Sequence, residues 1–389
     1  MRIVIIDPSG FTPPYDHCLA TALAHQGCRV VLATTRMLMG PWAQDTIYER
    51  WEHFYRISSR LTHTKIRTYL KGCEHPFDMG RLLRRLRHWK PDVIHFQWIP
   101  IPIVDRLFLR EFRKMAPLIL TVHDTEPFQG TPSSRLQLIG LLPAFRCFDH
   151  YIVHTQYSKE MLTRQLSLPE HYVSVIPHGV FAYYRELTSG LGAQKHALEW
   201  AKKRKILFFG TIKPYKGVDV LLKAFARLPK SVLKESVLQI VGYPKMPIEP
   251  LQSLARCLGI EDQVFWDLRY IGEAEVASYF YQADVVVLPY RRIDQSGVLA
   301  IAFAFEKPVI ATRVGGFVET IKDGVYGLLV EPENAESLAQ ALLRVLDDDE
   351  LRQRIAIAVK NLATNQLSWE SIAKQTVHLY QEILKGRRS

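Results

Sequence analysis

Short apolar runs that alternate with helix-spaced stretches constrain the fold of this chain more than any other feature. Between the runs lie stretches such as Tyr15–His25, whose apolar residues recur at helical spacing. Strands that alternate with helices predict right-handed crossovers and a parallel sheet that is covered on both faces. The predicted strands are Arg2–Ile6, Arg29–Ala33, Asp92–Trp98, Leu118–His123, Tyr151–His154, Val173–Ile176, Ile206–Phe209, Val237–Val241, Val264–Trp266, Val285–Leu288 and Val309–Ala311.

A weakening of this alternation near residue 190 indicates two domains. A chain of 389 residues exceeds what one hydrophobic core usually serves. We predict an α/β fold in which residues 1–187 and 205–365 form Rossmann-like, doubly wound parallel sheets that face each other across a cleft. Residues 188–204 form the predicted linker, and residues 366–389 a helix that packs back on the first domain. Ligands in such folds bind outside the carboxyl ends of the strands.

Composition favours a globular protein of the cytoplasm. Apolar residues make up 48% of the chain and charged residues 23%, which is typical of a folded domain. The longest apolar stretch, Val298–Phe305, is far shorter than the ~20 residues that span a bilayer. The N-terminus lacks the long apolar region of a signal peptide. The five cysteines are scattered without a CxxC pair, which fits a reducing compartment and no structural zinc.

Positive charge is concentrated in residues 50–90, which hold eleven of the Lys and Arg residues against three acids. Aromatic residues are interleaved with these charges: Trp51, Phe54, Tyr55, Tyr69, Phe77 and Trp89. That mixture predicts contact with an anionic membrane surface, and a location on its inner face. A solvated basic face is the alternative interpretation. No nucleic-acid-binding pattern accompanies the charge, so nucleic acid is not an expected partner.

Two loops in the second half of the chain predict a site for an anion. The stretch from Val285 to Gly316 has the pattern strand, loop, helix, strand, and its loop ends at Ser296-Gly297. Free N–H groups at the start of that helix would attract an anion, and glycine allows a close approach. Earlier, Gly210 follows a strand and precedes Lys213 and Lys216, whose two charges could converge on a diphosphate. Ordinary strand–helix turns are the alternative in both places.

Candidate residues in the first half also follow predicted strands. His123 closes the run TVHD, where it could accept or relay a proton while Asp124 orients it; a structural histidine is the alternative. The loop after the first strand contains Gly10 and leads to Tyr15 and Asp16, a usual place for ligand contacts. Neither domain opens with GxGxxG, which disfavours an NAD or FAD enzyme. The HExxH motif and a DxD pair for metal-dependent sugar transfer are also absent.

Taken together, these residues resemble the retaining family 4 glycosyltransferases of the GT-B class. The stretch FFGTIKPYKGVDVLLKAF (208–225) is similar to that family's glycine–basic–lysine–glycine segment, and residues 283–316 resemble its nucleotide-sugar signature. The run TVHD (121–124) matches the position of its acceptor-side histidine. Trp369 with Leu379-Tyr380 resembles its closing helix. The resemblance covers nearly the whole chain.

The resemblance implies a transferase that moves a hexose from a nucleoside diphosphate sugar, UDP or GDP, to a hydroxyl acceptor. It implies retention of configuration and no metal or other cofactor, with a lipid-linked acceptor in polysaccharide or glycolipid synthesis. The residues expected to take part in catalysis are His123, Lys213, Lys216 and Asp294. Those expected to bind the donor are Gly10, Gly210, Tyr290, Gln295, Ser296, Gly297 and Val298. Those expected to bind the acceptor are Tyr15, Asp16 and Asp124.

The chain departs from the family pattern at three positions, one of which is Glu306, where the family usually carries a glycine. Ile293 and Ile301 stand where the family typically carries two glutamates, on the sugar and on the ribose. Asp294 could replace the first glutamate, and a subgroup with QSG at this loop looks similar. The departure leaves two alternatives to a transferase: a sugar-nucleotide epimerase or hydrolase with the same fold, and a non-catalytic subunit.

Overall fold

The computed structural model describes residues 1–36, 46–61, 64–125, 139–188, 200 and 202–387. Contacts between Cα atoms divide the chain into two units. The first unit comprises Met1–Gly179 together with Ser368–Ser389, and the second comprises Val180–Leu367. Most of the predicted linker, 188–204, lies outside the described residues.

The first unit is built on a parallel sheet of seven strands. The strands are β1 (Arg2–Asp7), β2 (Arg29–Thr35), β3 (Glu49–Phe54), β4 (Val93–Phe96), β5 (Leu118–Thr121), β6 (His150–Val153) and β7 (Val173–Val175). Their order across the sheet is β3-β2-β1-β4-β5-β6-β7. The helices of this unit are α1 (Pro13–His25), α2 (Thr64–Trp89), α3 (Pro102–Met115), α4 (Leu141–Phe145) and α5 (Gln156–Leu166). The C-terminal helix, Trp369–Gly386, packs against α1 within the same unit.

Burial explains why the central strands are continuous apolar runs. Val93–Phe96 and Leu118–Thr121 are buried at every position, because helices cover both faces of a parallel sheet. The chain leaves β1 toward β2 and β3 and then returns to β4 on the other side of β1. This reversal places a crevice at the carboxyl ends of β1 and β4, where ligands bind in doubly wound folds.

The basic segment 50–90 forms regular structure that its charge pattern did not predict. It contains most of the edge strand β3 and the long helix α2. Three of its aromatic residues, Trp51, Phe54 and Tyr55, belong to the hydrophobic core. Tyr69 and Phe77 on α2 are exposed. The segment therefore serves the core with some of its aromatic residues and presents only part of them to solvent.

The second unit is built on a parallel sheet of six strands. The strands are β8 (Arg204–Phe209), β9 (Ser236–Val241), β10 (Val264–Asp267), β11 (Val285–Leu288), β12 (Val309–Thr312) and β13 (Leu328–Val330). Their order is β10-β9-β8-β11-β12-β13. The helices are α6 (Val218–Phe225), α7 (Lys230–Lys234), α8 (Glu249–Cys257), α9 (Glu273–Gln282), α10 (Gly297–Ala304), α11 (Phe317–Thr320), α12 (Ala335–Asp347) and α13 (Asp349–Asn365). The helix Trp369–Gly386 of the first unit is α14.

The topological switch of the second sheet lies between β8 and β11. The chain runs outward from β8 through β9 to β10, and then returns to pair β11 with β8. The loops 210–217 and 289–296, which the sequence singled out, follow the carboxyl ends of these two strands. The fold therefore brings both predicted anion-binding loops to one place. No helix in the described part of the chain is long and apolar enough to cross a membrane.

Candidate functional site

The loop after β8 begins with a glycine whose conformation disfavours other residues and whose surroundings leave little room for a side chain. Gly210 has a φ of +102°, in the region that favours glycine. A Cβ at this position would lie 3.3 Å from Lys216 Nζ and 3.3 Å from Val298 Cγ2. The absence of a side chain at Gly210 thus allows the lysine ammonium and the first turn of α10 to approach the same point.

Lys216 is the charged residue of the second unit that most strongly indicates a ligand site. Its side chain is buried, with 8% of the residue exposed, and it forms no ion pair with a carboxylate among the described residues. Burial lowers the pKa of its ammonium group. The nearest aromatic face is that of Tyr290, whose ring centroid lies 5.0 Å from Nζ. A buried ammonium without a counter-ion is costly, so Lys216 is a candidate for binding an anion from outside the protein.

The N-terminus of α10 supplies the second part of this candidate anion site. Ser296 caps the helix through its Oγ, which accepts a hydrogen bond from the amide of Leu299 at 3.3 Å. The amides of Gly297 and Val298 come first in the helix, where an intrahelical acceptor is lacking. Gln295 directly precedes the cap, and its buried Oε1 accepts no hydrogen bond from a described residue. The helix dipole and the ammonium of Lys216 favour negative charge at the same place.

Close backbone contact fixes the two loops against each other. Gly217 has a φ of +67°, and a Cβ there would lie 2.0 Å from the carbonyl oxygen of Pro289. The amide of Arg291 donates to the carbonyl of Tyr215 at 2.7 Å. The Arg291 guanidinium donates to the carbonyl of Pro214 at 2.6 Å and to both oxygens of Asp219. The loop that carries Lys216 is therefore clamped to the loop that leads into α10.

The structure separates the two predicted lysines. Lys213 lies beside the ring of Tyr215, 5.7 Å from its centroid, at the wall of a groove of ≈ 500 Å³. Arg291, Arg292 and Asp219 line the same groove, whereas Lys216 does not. Asp294 is half-buried in the loop before α10. Of the positions where the family carries glutamates, Ile301 is buried in α10.

In the first unit, the loop after β1 is organised by two buried carboxyl groups. Asp7 accepts hydrogen bonds from the amides of Gly10, Phe11 and Thr12 at 3.0, 2.6 and 3.2 Å. Asp16 is fully buried beside it and receives a hydrogen bond from the Thr12 hydroxyl at 3.4 Å. Burial and the neighbouring Asp7 raise the pKa of Asp16 well above its usual range. Asp16, expected to bind an acceptor, thus lies beneath the loop.

His123 lies in a buried polar network at the carboxyl ends of β4 and β5. Its Nε2 is 2.9 Å from Gln97 Oε1, and its ring stacks on Trp98 with centroids 5.4 Å apart. Its Nδ1 lies 3.3 Å from Nε2 of His154. Burial, with His154 as a smaller cause, holds the pKa of His123 well below the usual range. His123 is therefore a neutral imidazole near pH 7, able to accept or donate a hydrogen bond.

The remaining first-unit residues surround this network. Tyr15 is buried, and its ring meets the edge of His123 with centroids 4.7 Å apart. Trp369, from α14, packs against Tyr15 with centroids 5.0 Å apart. Asp124 follows His123 and is exposed. The structure thus brings Tyr15 and His123 together, while Asp16 faces Asp7 and Asp124 faces solvent.

Several site residues were not found from the sequence. Gln97 and Trp98 follow β4 at the switch point of the first sheet, and their place after the apolar run VIHF was the signal available. His95 is buried between Tyr380 and Thr121, 2.6 and 2.7 Å away. The Arg291–Asp219 pair joins positions 72 residues apart, and no local pattern connects them. Within the described ranges, no group of three His, Cys, Asp or Glu side chains is arranged to hold a metal ion.

Two Rossmann-like units built on parallel sheets of seven and six strands are the architecture of the GT-B class of glycosyltransferases. Comparison of the sequence with protein-family models also identifies a glycosyltransferase. Residues 17–181 match the model described as Glycosyltransferase Family 4, and residues 193–362 match the one described as Glycosyl transferases group 1. The chain belongs to glycosyltransferase family 4.

Two curated relatives of the chain are named as sugar transferases. A D-inositol 3-phosphate glycosyltransferase of Streptomyces griseus is 31% identical over 280 residues, which cover 66% of this chain and 59% of the relative. A lipopolysaccharide 1,2-N-acetylglucosaminetransferase of Salmonella typhimurium is 30% identical over 233 residues, covering 58% of this chain and 60% of the relative. The matched part of the chain thus spans about six-tenths of the length of these relatives.

Solved structures share the fold over the whole chain. The crystal structure of Anabaena HepE in complex with UDP and glucose matches 98% of this chain and 100% of that protein, with a TM-score of 0.74 and 18% identity. Sucrose-phosphate synthase from Thermosynechococcus elongatus matches 99% and 100%, with a TM-score of 0.69 and 19% identity. Likeness at this level of identity concerns the fold.

Proposed function

We propose that the protein is a retaining, metal-independent glycosyltransferase that moves a hexose from a nucleoside diphosphate sugar to a hydroxyl acceptor. The observation that carries this proposal is Lys216: a buried ammonium without a carboxylate partner among the described residues, beside the N-terminus of α10. A diphosphate is the anion that such a pair would hold in this family. The HepE structures, which contain UDP or UDP-glucose, support a nucleotide-sugar donor for this fold.

Stabilisation of the leaving diphosphate is the main chemical task at this site. As the glycosidic bond breaks, negative charge grows on the diphosphate, and Lys216 with the amides of Gly297 and Val298 would neutralise it. Fixed donors in a site with little water are worth far more than the same groups in solution. Lys213 would supply further positive charge from the neighbouring groove. Gly210 and Tyr290 would line the donor site, and Asp294 and Gln295 would bind sugar hydroxyls.

Retention follows from attack on the face that the leaving group departs from. The bond from the anomeric carbon to the diphosphate oxygen breaks, and the bond to the acceptor oxygen forms on the same face. The departing diphosphate oxygen takes the acceptor proton, so a protein nucleophile is not required. His123, neutral and hydrogen-bonded to Gln97, would position the sugar or the acceptor hydroxyl. Gly10 would contact the donor, and Tyr15, Asp16 and Asp124 would shape the acceptor side of the first unit.

A lipid-linked acceptor at an anionic membrane, used in polysaccharide or glycolipid synthesis on the cytoplasmic side, completes the proposal. The basic segment 50–90 supports it, since four arginines between positions 81 and 87 lie on α2. The Salmonella relative, named for lipopolysaccharide, is consistent with an acceptor of this class.

The proposal is tested first by thermal unfolding with UDP, GDP, ADP and dTDP sugars. A donor that binds only the native state adds about 2.7 kcal/mol to its stability at 100 times the dissociation constant. The stabilising donor is then incubated with sugar-lipid acceptors, with and without EDTA, and the anomeric configuration of the product is assigned by NMR. Failure of every donor to stabilise the protein would refute the proposal. Donor consumption without an acceptor would identify an epimerase or hydrolase instead.

A further inference from the structure

Two buried histidines lie at the carboxyl ends of neighbouring strands in the first unit. His123 follows β5 and His154 follows β6, and both side chains are buried. Nε2 of His154 is 3.3 Å from Nδ1 of His123, and Nδ1 of His154 is 2.9 Å from the carbonyl oxygen of Ile176. The function proposed above gives a task to His123 and none to His154.

Both imidazoles are uncharged near pH 7. Burial lowers the pKa of His154 to about 4. Burial, with His154 as a smaller cause, holds the pKa of His123 well below its usual range. A neutral imidazole has one N–H donor and one nitrogen that carries a lone pair. The position of the proton on each ring therefore decides which of its two nitrogens donates a hydrogen bond.

The backbone carbonyl of Ile176 fixes the proton of His154. A carbonyl oxygen only accepts hydrogen bonds, so Nδ1 of His154 carries the hydrogen. The carbonyl cannot turn away, because the amide of Ile176 is itself bonded to the carbonyl of Val153 at 2.9 Å. Rotation of the ring by 180° would put carbon atoms in place of both nitrogens and lose both contacts. Nε2 of His154 is therefore the lone-pair nitrogen, and it faces His123.

The lone pair of His154 in turn fixes the proton of His123. If Nδ1 of His123 also carried a lone pair, two buried acceptors would face each other at 3.3 Å. A buried acceptor that faces no donor is costly, so Nδ1 of His123 carries the hydrogen and donates to His154. The lone pair of His123 is then on Nε2, which lies 2.9 Å from the side-chain amide of Gln97.

The side-chain amide of Gln97 completes the assignment. Its oxygen and nitrogen have nearly the same shape, so the surrounding hydrogen bonds determine which atom faces which neighbour. A lone pair on Nε2 of His123 requires the amide nitrogen on that side, which exchanges Oε1 with the amide nitrogen. The amide oxygen then faces Nε2 of His95 at 3.4 Å. That nitrogen can donate to the Thr121 hydroxyl at 2.7 Å, while the Tyr380 hydroxyl donates to Nδ1 of His95 at 2.6 Å.

We propose that His154, anchored on the Ile176 carbonyl, is a positioning residue that holds the proton of His123 on Nδ1. Nε2 of His123 then presents a lone pair. His123 and Gln97 line a small cavity together with Trp98. A ligand hydroxyl that replaces the Gln97 amide would donate to this lone pair, whereas a ligand oxygen without a hydrogen would be repelled. The use of His123 in sugar transfer rests on the proposed function, but the position of its proton does not.

Nitrogen NMR of the full chain, with isotope-labelled histidine, tests the position of the proton. A ring nitrogen that carries a hydrogen and one that carries a lone pair resonate in separate ranges. The His123→Gln variant identifies the signals that belong to His123. In the unmodified protein near pH 7 we expect a protonated Nδ1 and a lone pair on Nε2. The opposite pattern, or a ring protonated on both nitrogens, would overturn the proposal without any further variant.

A substitution of His154 tests its role in holding that proton. His154→Phe removes both hydrogen bonds and keeps a ring at the position, so we expect the proton of His123 to move to Nε2 and pair with the oxygen of Gln97. His150→Phe is the matched control, because His150 is also buried, on β6, and is bonded to Ser174 at 2.9 Å. The control should leave the proton on Nδ1. The role of His154 is refuted if the proton stays on Nδ1 in His154→Phe, or if it moves in both variants.

Steady-state kinetics with the donor sugar distinguishes a positioning residue from a structural one. His154→Phe should lower kcat/KM roughly tenfold, about the value of one hydrogen bond in the transition state. His154→Gln retains a hydrogen-bond acceptor, so it should restore most of this loss. In a His123→Gln background, His154→Phe should cause no further loss, because it acts through His123. The same loss in both backgrounds would contradict the proposal.

The NMR and kinetic results keep this proposal apart from the proposed function. A protonated Nδ1 in a protein that turns over none of the donors would refute the transferase and leave the assignment of the proton standing. Turnover by a protein whose His123 carries its proton on Nε2 would refute the assignment and leave the transferase standing.

Discussion

Arg291 binds Asp219 through two guanidinium nitrogens, with 2.9 Å between Nη2 and Oδ2, and the same guanidinium reaches the Pro214 carbonyl at 2.6 Å. This pair ties the start of α6 to the loop after β11. Lys216 lies between the two anchored points, Pro214 and Asp219. The position of the buried ammonium therefore depends on a residue that lies 75 positions away in sequence.

Removal of this clamp should weaken donor binding more than it weakens the fold. Arg291→Met keeps most of the side-chain volume but loses every hydrogen bond to the loop. We expect KM for the donor to rise several-fold and stability to fall by about 1–2 kcal/mol, as is usual for a partly buried charged hydrogen bond. Arg313→Met, which breaks exposed ion pairs with Asp323 and Glu331, serves as the control. Steady-state kinetics and urea unfolding measure both effects, and equal changes in the two variants would contradict the clamp.

Replacement of Lys216 should lower turnover without lowering the stability of the fold. Lys216→Met fills the same space without a charge, so we expect roughly 10²–10³-fold lower kcat, in line with the loss of one preorganised electrostatic donor. The apo protein should melt at the same or a higher temperature, because the change removes a buried ammonium that has no counter-ion among the described residues. The stabilisation by the donor sugar should shrink.

Lys213→Met is the matched comparison for this experiment. Lys213 is half-buried at the groove wall beside Tyr215, so its loss should change kcat less than the loss of Lys216. Unchanged turnover in Lys216→Met would remove the main support for the transferase. A drop in melting temperature without a drop in donor binding would show that the buried lysine has a structural role instead.

The contact of Gly217 with Pro289 can be tested against a glycine with the same backbone angle. Gly217 and Gly259 have φ values of +67° and +68°, so alanine should cost about 1 kcal/mol at either position from conformation alone. A Cβ at Gly217 would also meet the Pro289 carbonyl at 2.0 Å, whereas one at Gly259 meets nothing within 4 Å. Denaturant unfolding should therefore show a larger loss for Gly217→Ala. Equal losses would argue against a tight contact between the loops.

The carboxyl pair beneath the β1 loop makes a specific pH prediction. Burial raises the pKa of both Asp7 and Asp16, with the larger rise at Asp16. A raised folded pKa means that the stability from this pair is complete below the unfolded pKa of about 3.9 and is lost as pH rises through the folded pKa. Asp16→Asn removes the second charge, so it should raise the melting temperature at pH 8 and have little effect at pH 4. A lower melting temperature at pH 8 would show that ionised Asp16 stabilises the fold.

The buried histidines predict the opposite pH dependence of stability, with a free energy of unfolding that falls as the pH falls. Burial lowers the pKa of His95 to about 3 and that of His154 to about 4. Their contribution to stability is complete above the unfolded pKa of about 6.5 and is lost as pH falls toward the folded values, by up to about 1.4 kcal/mol per pH unit for each histidine. His154→Gln should flatten the fall in unfolding free energy between pH 6.5 and 4. An unfolding free energy that falls as steeply in His154→Gln as in the unmodified chain would contradict the prediction.

Local sequence patterns were enough to predict the parallel α/β architecture and the positions of the two loops proposed to bind an anion. Apolar runs such as Val285–Leu288 are long enough for strands, and strands buried on both faces have no polar alternation to obscure them. The residues that follow such runs lie at the carboxyl edge of the sheet. Gly210, Lys216 and Ser296 were therefore identifiable from local patterns alone.

Local patterns did not predict which of these residues lie close together in the folded chain. Lys213 and Lys216 are three positions apart, yet one lines a groove and the other is buried near Val298, because the intervening turn directs their side chains differently. The roles of Trp51 and Phe77 were likewise undetermined, since an aromatic residue in a basic segment suits either a core or a surface. Contacts between residues far apart in sequence, such as Arg291 and Asp219, determine whether a side chain is buried and what it touches. A local sequence pattern does not predict such contacts.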